Sequence, residues 1–312
     1  MSYRVISLFT GCGGLDLGFK GGFSYLDRHF PILDFTTIFA NDIDHNACET
    51  FKQNFQISPI CGDIRELLAE LPNSTDILLG GFPCQDFSHA GKRLGFSSER
   101  GVLYQSMCQA IKKSKPKLFI AENVKGLLTI NNGDSIKTIV NDFKELGYNV
   151  SYKLISVCRF GVPQKRERVI IVGSLAEKLP LFDFEKYLLP TSYDVTAEDA
   201  ISDLTDLAEG VIPNHFWSKA KKNNGQGNNI INKDDYAPTI RAEHHGNIEF
   251  HWNGARRLSA REAARLQSFP DDFIFYPSTS SAYKQIGNAV PPVFAWHLAT
   301  SIQKFLLKHL SS

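Results

Sequence analysis

Tyr3-Arg4-Val5-Ile6-Ser7-Leu8-Phe9 runs straight into Thr10-Gly11-Cys12-Gly13-Gly14-Leu15-Asp16-Leu17-Gly18, and this junction decides the fold. The first seven residues read as a strand, and the apolar residues beyond the glycines read as a helix. A strand, a glycine-rich turn and a helix are the cofactor-cradling opening of a nucleotide-binding α/β unit. The glycines are not spaced as in the GxGxxG dinucleotide fingerprint, which counts against NAD.

Working outward, Phe35-Thr36-Thr37-Ile38-Phe39-Ala40 is a second strand that ends in Asn41-Asp42-Ile43-Asp44. Asp42 stands where a ribose-binding carboxylate is expected, and Asp is equally a helix N-cap. Ile60-Cys61-Gly62-Asp63-Ile64 gives a third edge, with Asp63 able to accept from an adenine amino group. Acidic side chains at the ends of two successive strands suggest a ligand that carries adenosine.

Asp76-Ile77-Leu78-Leu79-Gly80-Gly81-Phe82-Pro83-Cys84-Gln85-Asp86-Phe87-Ser88 is an apolar run cut off by glycines and a proline. It reads as a buried strand that hands over to a loop at the carboxyl edge of the sheet. Open α/β sheets bind ligands at that edge. Cys84 is there a candidate nucleophile, against the alternative of a small buried apolar residue. Lys92 and Arg93 follow in a long basic segment that could serve as a lid, and Leu103 falls at the start of a helix.

Pro116 to Val124 forms another buried strand, with Glu122-Asn123 near its tip. A carboxyl group there suits a proton donor, or else a salt-bridge partner. Gln164-Lys165-Arg166-Glu167-Arg168 precedes the strand Val169 to Gly173, and Arg166 and Arg168 share a side if extended. The alternation to this point predicts a largely parallel sheet with helices on both faces.

From about residue 176 the chain becomes loop-rich, with short strands such as Asn247 to His251. Lys221 to Asn229 is an Asn/Gly run, either a surface loop or a loop that faces nucleic acid. Residues 211–269 hold nine Lys/Arg against five Asp/Glu, a modest excess that suits a phosphate-binding face. Leu258 to Gln267 reads as a capped helix, and Val293 to about Leu310 as a closing amphipathic one.

The 312 residues, 43% hydrophobic and 21% charged, are ordinary for a globular protein. No apolar run approaches the ~20 residues of a membrane span and no signal pattern opens the chain, so the expectation is cytoplasmic. Cys12, Cys48, Cys61, Cys84, Cys108 and Cys158 make neither a CxxC pair nor a Cys/His cluster, which argues against disulfides and zinc. His244-His245 lack further ligands, and no metal is expected.

With these residues in hand, the chain resembles the cytosine-C5 DNA methyltransferases over nearly its whole length. The resemblance rests on Phe9 to Gly14, Gly81 to Gln85, Glu122 to Val124, Gln164 to Arg168, Arg257-Leu258-Ser259 through Phe269-Pro270, and Gln285 to Val290, in the family order. It implies an α/β, Rossmann-like catalytic domain that binds S-adenosylmethionine, formed by residues 1–175 and 284–312. A smaller loop-rich target-recognition region, 176–283, would contain Thr239-Ile240 where the family has Thr-Leu. The cofactor contacts implied are Phe9, Gly11, Gly13, Gly14, Leu15, Asp42, Ile43, Asp63, Ile64, Pro83, Leu103, Asn288, Ala289 and Val290.

The implied reaction explains the residue types. C5 of cytosine is a poor nucleophile, and addition of the Cys84 thiolate to C6 would make it electron-rich. Glu122 would stabilise the charge that builds on N3. The resemblance further implies that Asn123 positions the Cys84 loop, Arg168 holds O2 and Arg166 supports nearby. Such chemistry needs a cytosine flipped from double-stranded DNA. The protein is expected to be a monomeric restriction-modification partner. One rival is a tRNA methyltransferase of the same family, whose Cys-Phe-Thr tripeptide is absent here. Another is a catalytically inactive DNA-binding regulator, against which Cys84, Glu122 and Arg168 speak.

Overall fold

The computed structural model of the chain describes residues 2–82, 101–222, 227–242 and 247–310. Its centre is a seven-stranded sheet. In chain order the strands are β1 (Tyr3–Leu8), the hairpin β2 (Phe23–Tyr25) and β3 (Arg28–Phe30), β4 (Phe35–Asp42), β5 (Ile60–Cys61) and β6 (Ile77–Gly80). They continue with β7 (Leu118–Val124), β8 (Tyr148–Ser156), β9 (Gln164–Lys165), β10 (Glu167–Leu175) and β11 (Ala237–Pro238). The sheet order is β5-β4-β1-β6-β7-β10-β8, parallel from β5 to β7, with β10 antiparallel to both β7 and β8. The strand reversal at that end is not foreseen by the expectation of a largely parallel sheet, because strand direction leaves no local trace in an apolar run.

Successive side chains on a strand point to opposite faces, and the core divides accordingly. Val5, Ile77, Leu79, Ile120 and Ile170 join the cluster on one face, while Ile6, Leu78, Phe119, Ala121 and Ile171 join the other. Helices α1 (Gly14–Lys20) and α10 (Pro292–Leu310) cover the first face. Helices α4 (Gly101–Ser114) and α5 (Asp134–Glu145) cover the second. On α5, Ile136, Ile139, Val140 and Phe143 form the apolar stripe, each residue worth about 1.5–3 kcal/mol on burial.

Between β4 and β5 lies α2 (His45–Asn54), and α3 (Ile64–Leu67) follows β5. Beyond residue 176 come α6 (Phe184–Tyr187), α7 (Ala197–Ile201), α8 (Ala260–Leu266) and α9 (Thr279–Asn288). The expected cap on α8 is a capping box: Ser259 and Glu262 each accept from the other's backbone N–H. The strand expected at Asn247 to His251 is instead a pair of isolated bridges through Phe250. Helix α9 is an addition to the sequence reading, which took the chain from Tyr283 directly into the closing helix.

Candidate functional site

The carboxyl ends of β1, β4, β6 and β7 open into one cavity of about 670 Å³. Twelve of the fourteen expected cofactor residues line it: Phe9, Gly11, Gly14, Leu15, Asp42, Ile43, Asp63, Ile64, Leu103, Asn288, Ala289 and Val290. Gly13 sits just behind, in left-handed conformation with φ 93°, where it starts α1. A Cβ there would strike the Phe51 and Phe55 rings within 2.8 Å, so the turn requires glycine. Phe9 itself has φ 53°, a conformation that costs about 1–3 kcal/mol and persists where the surroundings enforce it. Pro83 and Cys84 lie outside the described residues.

At the β4 end, Asp42 accepts from the backbone N–H of Gly11 at 2.7 Å and of Asp44 at 2.8 Å. Burial raises its pKa above the ordinary value. The N-cap of α2 is Asp44, not Asp42, so the capping alternative falls to its neighbour. Asn41, buried beside it, donates to the carbonyls of Ile60 and Gly62 and ties β4 to the chain beyond β5. Asp63 caps α3 and is clasped by the Arg65 guanidinium, which lowers its pKa. A ligand amino group there would share that carboxylate with Arg65.

At the β7 end, Glu122, Asn123 and Arg168 line the same cavity. Arg168 Nε lies 2.8 Å from Glu122 Oε1, with both side chains 12% exposed. This carboxyl faces the cavity and is ion-paired there, largely buried and not on the surface. Its other oxygen rests against Gly81, where a Cβ would come within 3.2 Å. Asn123 donates to the Phe82 carbonyl at 2.9 Å and accepts from the Val124 N–H. Phe82 packs on Tyr104, so the chain is anchored two residues before Cys84.

Arg166 does not line the cavity. Fully buried, it donates to the carbonyls of Gly287 at 2.8 Å, Ala289 at 3.0 Å and Ile240 at 3.2 Å. It therefore builds the wall behind Asn288 to Val290. Gln267 donates to the Ala289 carbonyl as well, and Gln164 bonds both Gln267 and the Ile240 N–H. Thr239, of the Thr-Ile pair, donates to the Lys165 carbonyl.

The basic excess of residues 211–269 is partly consumed indoors. Arg256 pairs with Glu262, Arg265 with Asp203 and Asp271, and Arg257 and Arg261 are buried on backbone carbonyls. The reading of that excess as a phosphate-binding face is narrowed by these pairings. Among the described residues no group of three His, Cys, Asp or Glu could hold a metal, and no helix is long and apolar enough to cross a membrane. The sequence reading gave no role to Asp16, Asn41 or Gln267. An acid inside the apolar run Leu15 to Phe19 was the available signal for the first.

A Rossmann-like sheet with its glycine turn, strand-end carboxylates and a Glu-Asn tip around one cavity defines a methyltransferase-type site. The chain belongs to the C-5 cytosine-specific DNA methylase family, whose profile matches residues 3–236 and 213–304. It is accordingly a DNA (cytosine-5-)-methyltransferase. It is 38% identical to the type II methyltransferase M.NgoFVII of Neisseria gonorrhoeae, across 96% of this chain and 86% of that one. It is 36% identical to M1.ScrFI of Lactococcus lactis subsp. cremoris, across 94% and 76%. In fold it is similar to the crystal structure of the Dnmt2 methyltransferase of S. pombe, with a TM-score of 0.67, 17% identity, and coverage of 99% of each chain.

Proposed function

We propose that the protein methylates C5 of a cytosine flipped out of a specific site in double-stranded DNA, with Cys84 as nucleophile and S-adenosylmethionine as methyl donor. The observation that carries this is that the glycine turn, Asp42 and the Glu122–Arg168 pair line the same cavity. Its volume and polar groups suit the cofactor: Phe9 against the adenine, Asp42 for the ribose hydroxyls, Asp63 and Ile64 for the adenine edge, and Asn288 to Val290 for the methionine portion. When bound, S-adenosylmethionine supplies an electrophilic methyl group on sulfur.

The rest of the chemistry belongs to the chain. The Cys84 thiolate forms a bond to C6, which drives electron density onto N3 and C5. Glu122 meets the charge at N3, with Arg168 fixing its orientation and reaching the base. Asn123 holds the Phe82 carbonyl, two residues before Cys84. After methylation, loss of the C5 proton and departure of the Cys84 thiolate restore the aromatic ring. Extruding the base costs a few kcal/mol, to be offset by contacts from the target-recognition region, residues 176–283 between the two parts of the catalytic domain.

The likeness to type II methyltransferases supports a partner of a restriction endonuclease, which we take to act as a monomer in the cytoplasm. Bisulfite sequencing of plasmid from cells that express the protein tests this reading, with duplex DNA and tRNA assayed side by side in vitro. The expected result is one methylated sequence context in DNA, lost in Cys84→Ser. Methylation of tRNA alone, or turnover retained in Cys84→Ser, would overturn it.

A further inference from the structure

Among the described residues five carboxylates line the cavity: Asp16, Asp42, Asp44, Asp63 and Glu122. Three of them have a cation on them, Lys284 on Asp44 at 2.6 Å, Arg65 on Asp63 at 2.5 Å and Arg168 on Glu122 at 2.8 Å. No cation is found on Asp16 or Asp42 among the described residues. Asp42 uses both oxygens on backbone N–H groups. Asp16 does not. Its Oδ2 accepts from the Ser7 hydroxyl at 3.0 Å and the Thr10 hydroxyl at 3.2 Å, the Thr37 hydroxyl also favours its charged form, and Oδ1 is buried with no partner at hydrogen-bond distance.

This side chain is 1% exposed. A buried carboxylate with an unpartnered oxygen is costly, and that oxygen is a ready acceptor for a donor from outside the chain. Burial pushes the Asp16 carboxyl up to about 6, so the group is ionised at neutral pH despite its surroundings.

We propose that Asp16 is the counter-charge for the α-ammonium group of the bound cofactor and so a specificity residue of this cavity. The inference rests on the S-adenosylmethionine reading above. Position along the cavity selects the ammonium end. Asp16 follows the glycine turn directly, and that turn closes on the carbonyl of Val290, which a Cβ at Gly14 would strike. The adenosine-side residues Asp42, Ile43 and Asp63 lie at the ends of β4 and β5 instead. Among the described residues the lining carries these five carboxylates against Arg65, Arg168 and Lys284, so a ligand cation would meet net negative charge there.

Calorimetric titration with two probes tests this: S-adenosylhomocysteine, and its analogue that lacks only the α-amino group. Wild-type protein is expected to bind the first roughly 10- to 100-fold more tightly, the span of one charge-assisted hydrogen bond. In Asp16→Asn, which keeps an acceptor for Ser7 and Thr10, the two affinities should converge to within about threefold. Asp16→Ser, with a polar group but no charge, should behave alike. A merely structural Asp16 would weaken both probes equally and leave their ratio intact. Equal affinities in wild type, or a ratio that survives in either variant, overturns the assignment of Asp16 alone. Binding of neither probe by wild type overturns the S-adenosylmethionine reading from which it starts.

Discussion

Asp16→Asn should stabilise the unliganded protein at pH 8. The carboxyl rises from an ordinary 3.8 to about 6 because burial strips its water. A raised carboxyl pKa means that the native state holds the proton more tightly than the unfolded chain. Stability is therefore lost as pH climbs between those two values, and the full penalty is present above pH 6. The gap corresponds to roughly 3 kcal/mol. With the side chain buried, solvent screening removes little of it. Asparagine keeps an oxygen for the Ser7 and Thr10 hydroxyls but puts an amide where Oδ1 stands, which returns about 1–2 kcal/mol of the gain. The net expectation is about 1–2 kcal/mol in favour of the variant at pH 8. That advantage should shrink by roughly 2 kcal/mol at pH 4.5, where the native carboxyl is already protonated. Urea unfolding at the two pH values reads both quantities. A midpoint difference that does not change with pH, or a variant less stable at pH 8, would refute the reasoning.

Three further outcomes follow from the geometry at the other end of the cavity and in its wall. Glu122→Gln should lower kcat by roughly 10²–10⁴; an unchanged turnover number would remove the carboxyl from proton handling. Gly81→Ala introduces a methyl group 3.2 Å from Glu122 Oε2, and displacing that carboxylate should cost roughly tenfold in kcat. S-adenosylhomocysteine affinity, titrated alongside, should barely move, and a loss of affinity as large as the loss of rate would contradict this. Gly287→Ala places a Cβ 2.5 Å from backbone atoms of Arg241 and Ala242, which should destabilise the protein by about 1–3 kcal/mol. Denaturant midpoints at wild-type level would show that the two segments are not packed as described.

What was legible in the sequence was the set of strand ends. Glycine turns, strand-tip acids and the Glu-Asn pair each announce themselves within a few residues, because an apolar run that stops in polar residues has a local cause. Parallel strands then bring those tips to one edge, and Phe9, Asp42, Asp63 and Glu122 meet there. Partnership was not legible. Nothing in Glu122-Asn123 says that Arg168 lies on the carboxylate, and nothing near Arg166 says that its hydrogen bonds end on Gly287 and Ala289, more than a hundred residues away. Helix α9 was missed for a related reason: its Gly287 is there for contact with Arg241 and Ala242, not for local propensity.

The failed strand at Asn247 to His251 has a physical explanation that bears on how the loop-rich part is held. A strand needs its carbonyls for a ladder. Here the Ile248 carbonyl accepts from Arg257, as do the carbonyls of Ala220, Lys221 and Gly227. One buried guanidinium thus takes the place of a partner strand, with Phe250 4.4 Å beneath it. Arginine is suited to this because its five donors lie in a fixed plane and reach several acceptors together. Burial depresses its pKa without neutralising it, and the charge is met by carbonyl dipoles as well as by Glu249. A loop region organised around a polar hub can change length and sequence between its anchored carbonyls without disturbing a ladder. Arg257 therefore ties the carbonyls of Ala220, Lys221, Gly227 and Ile248 to one point.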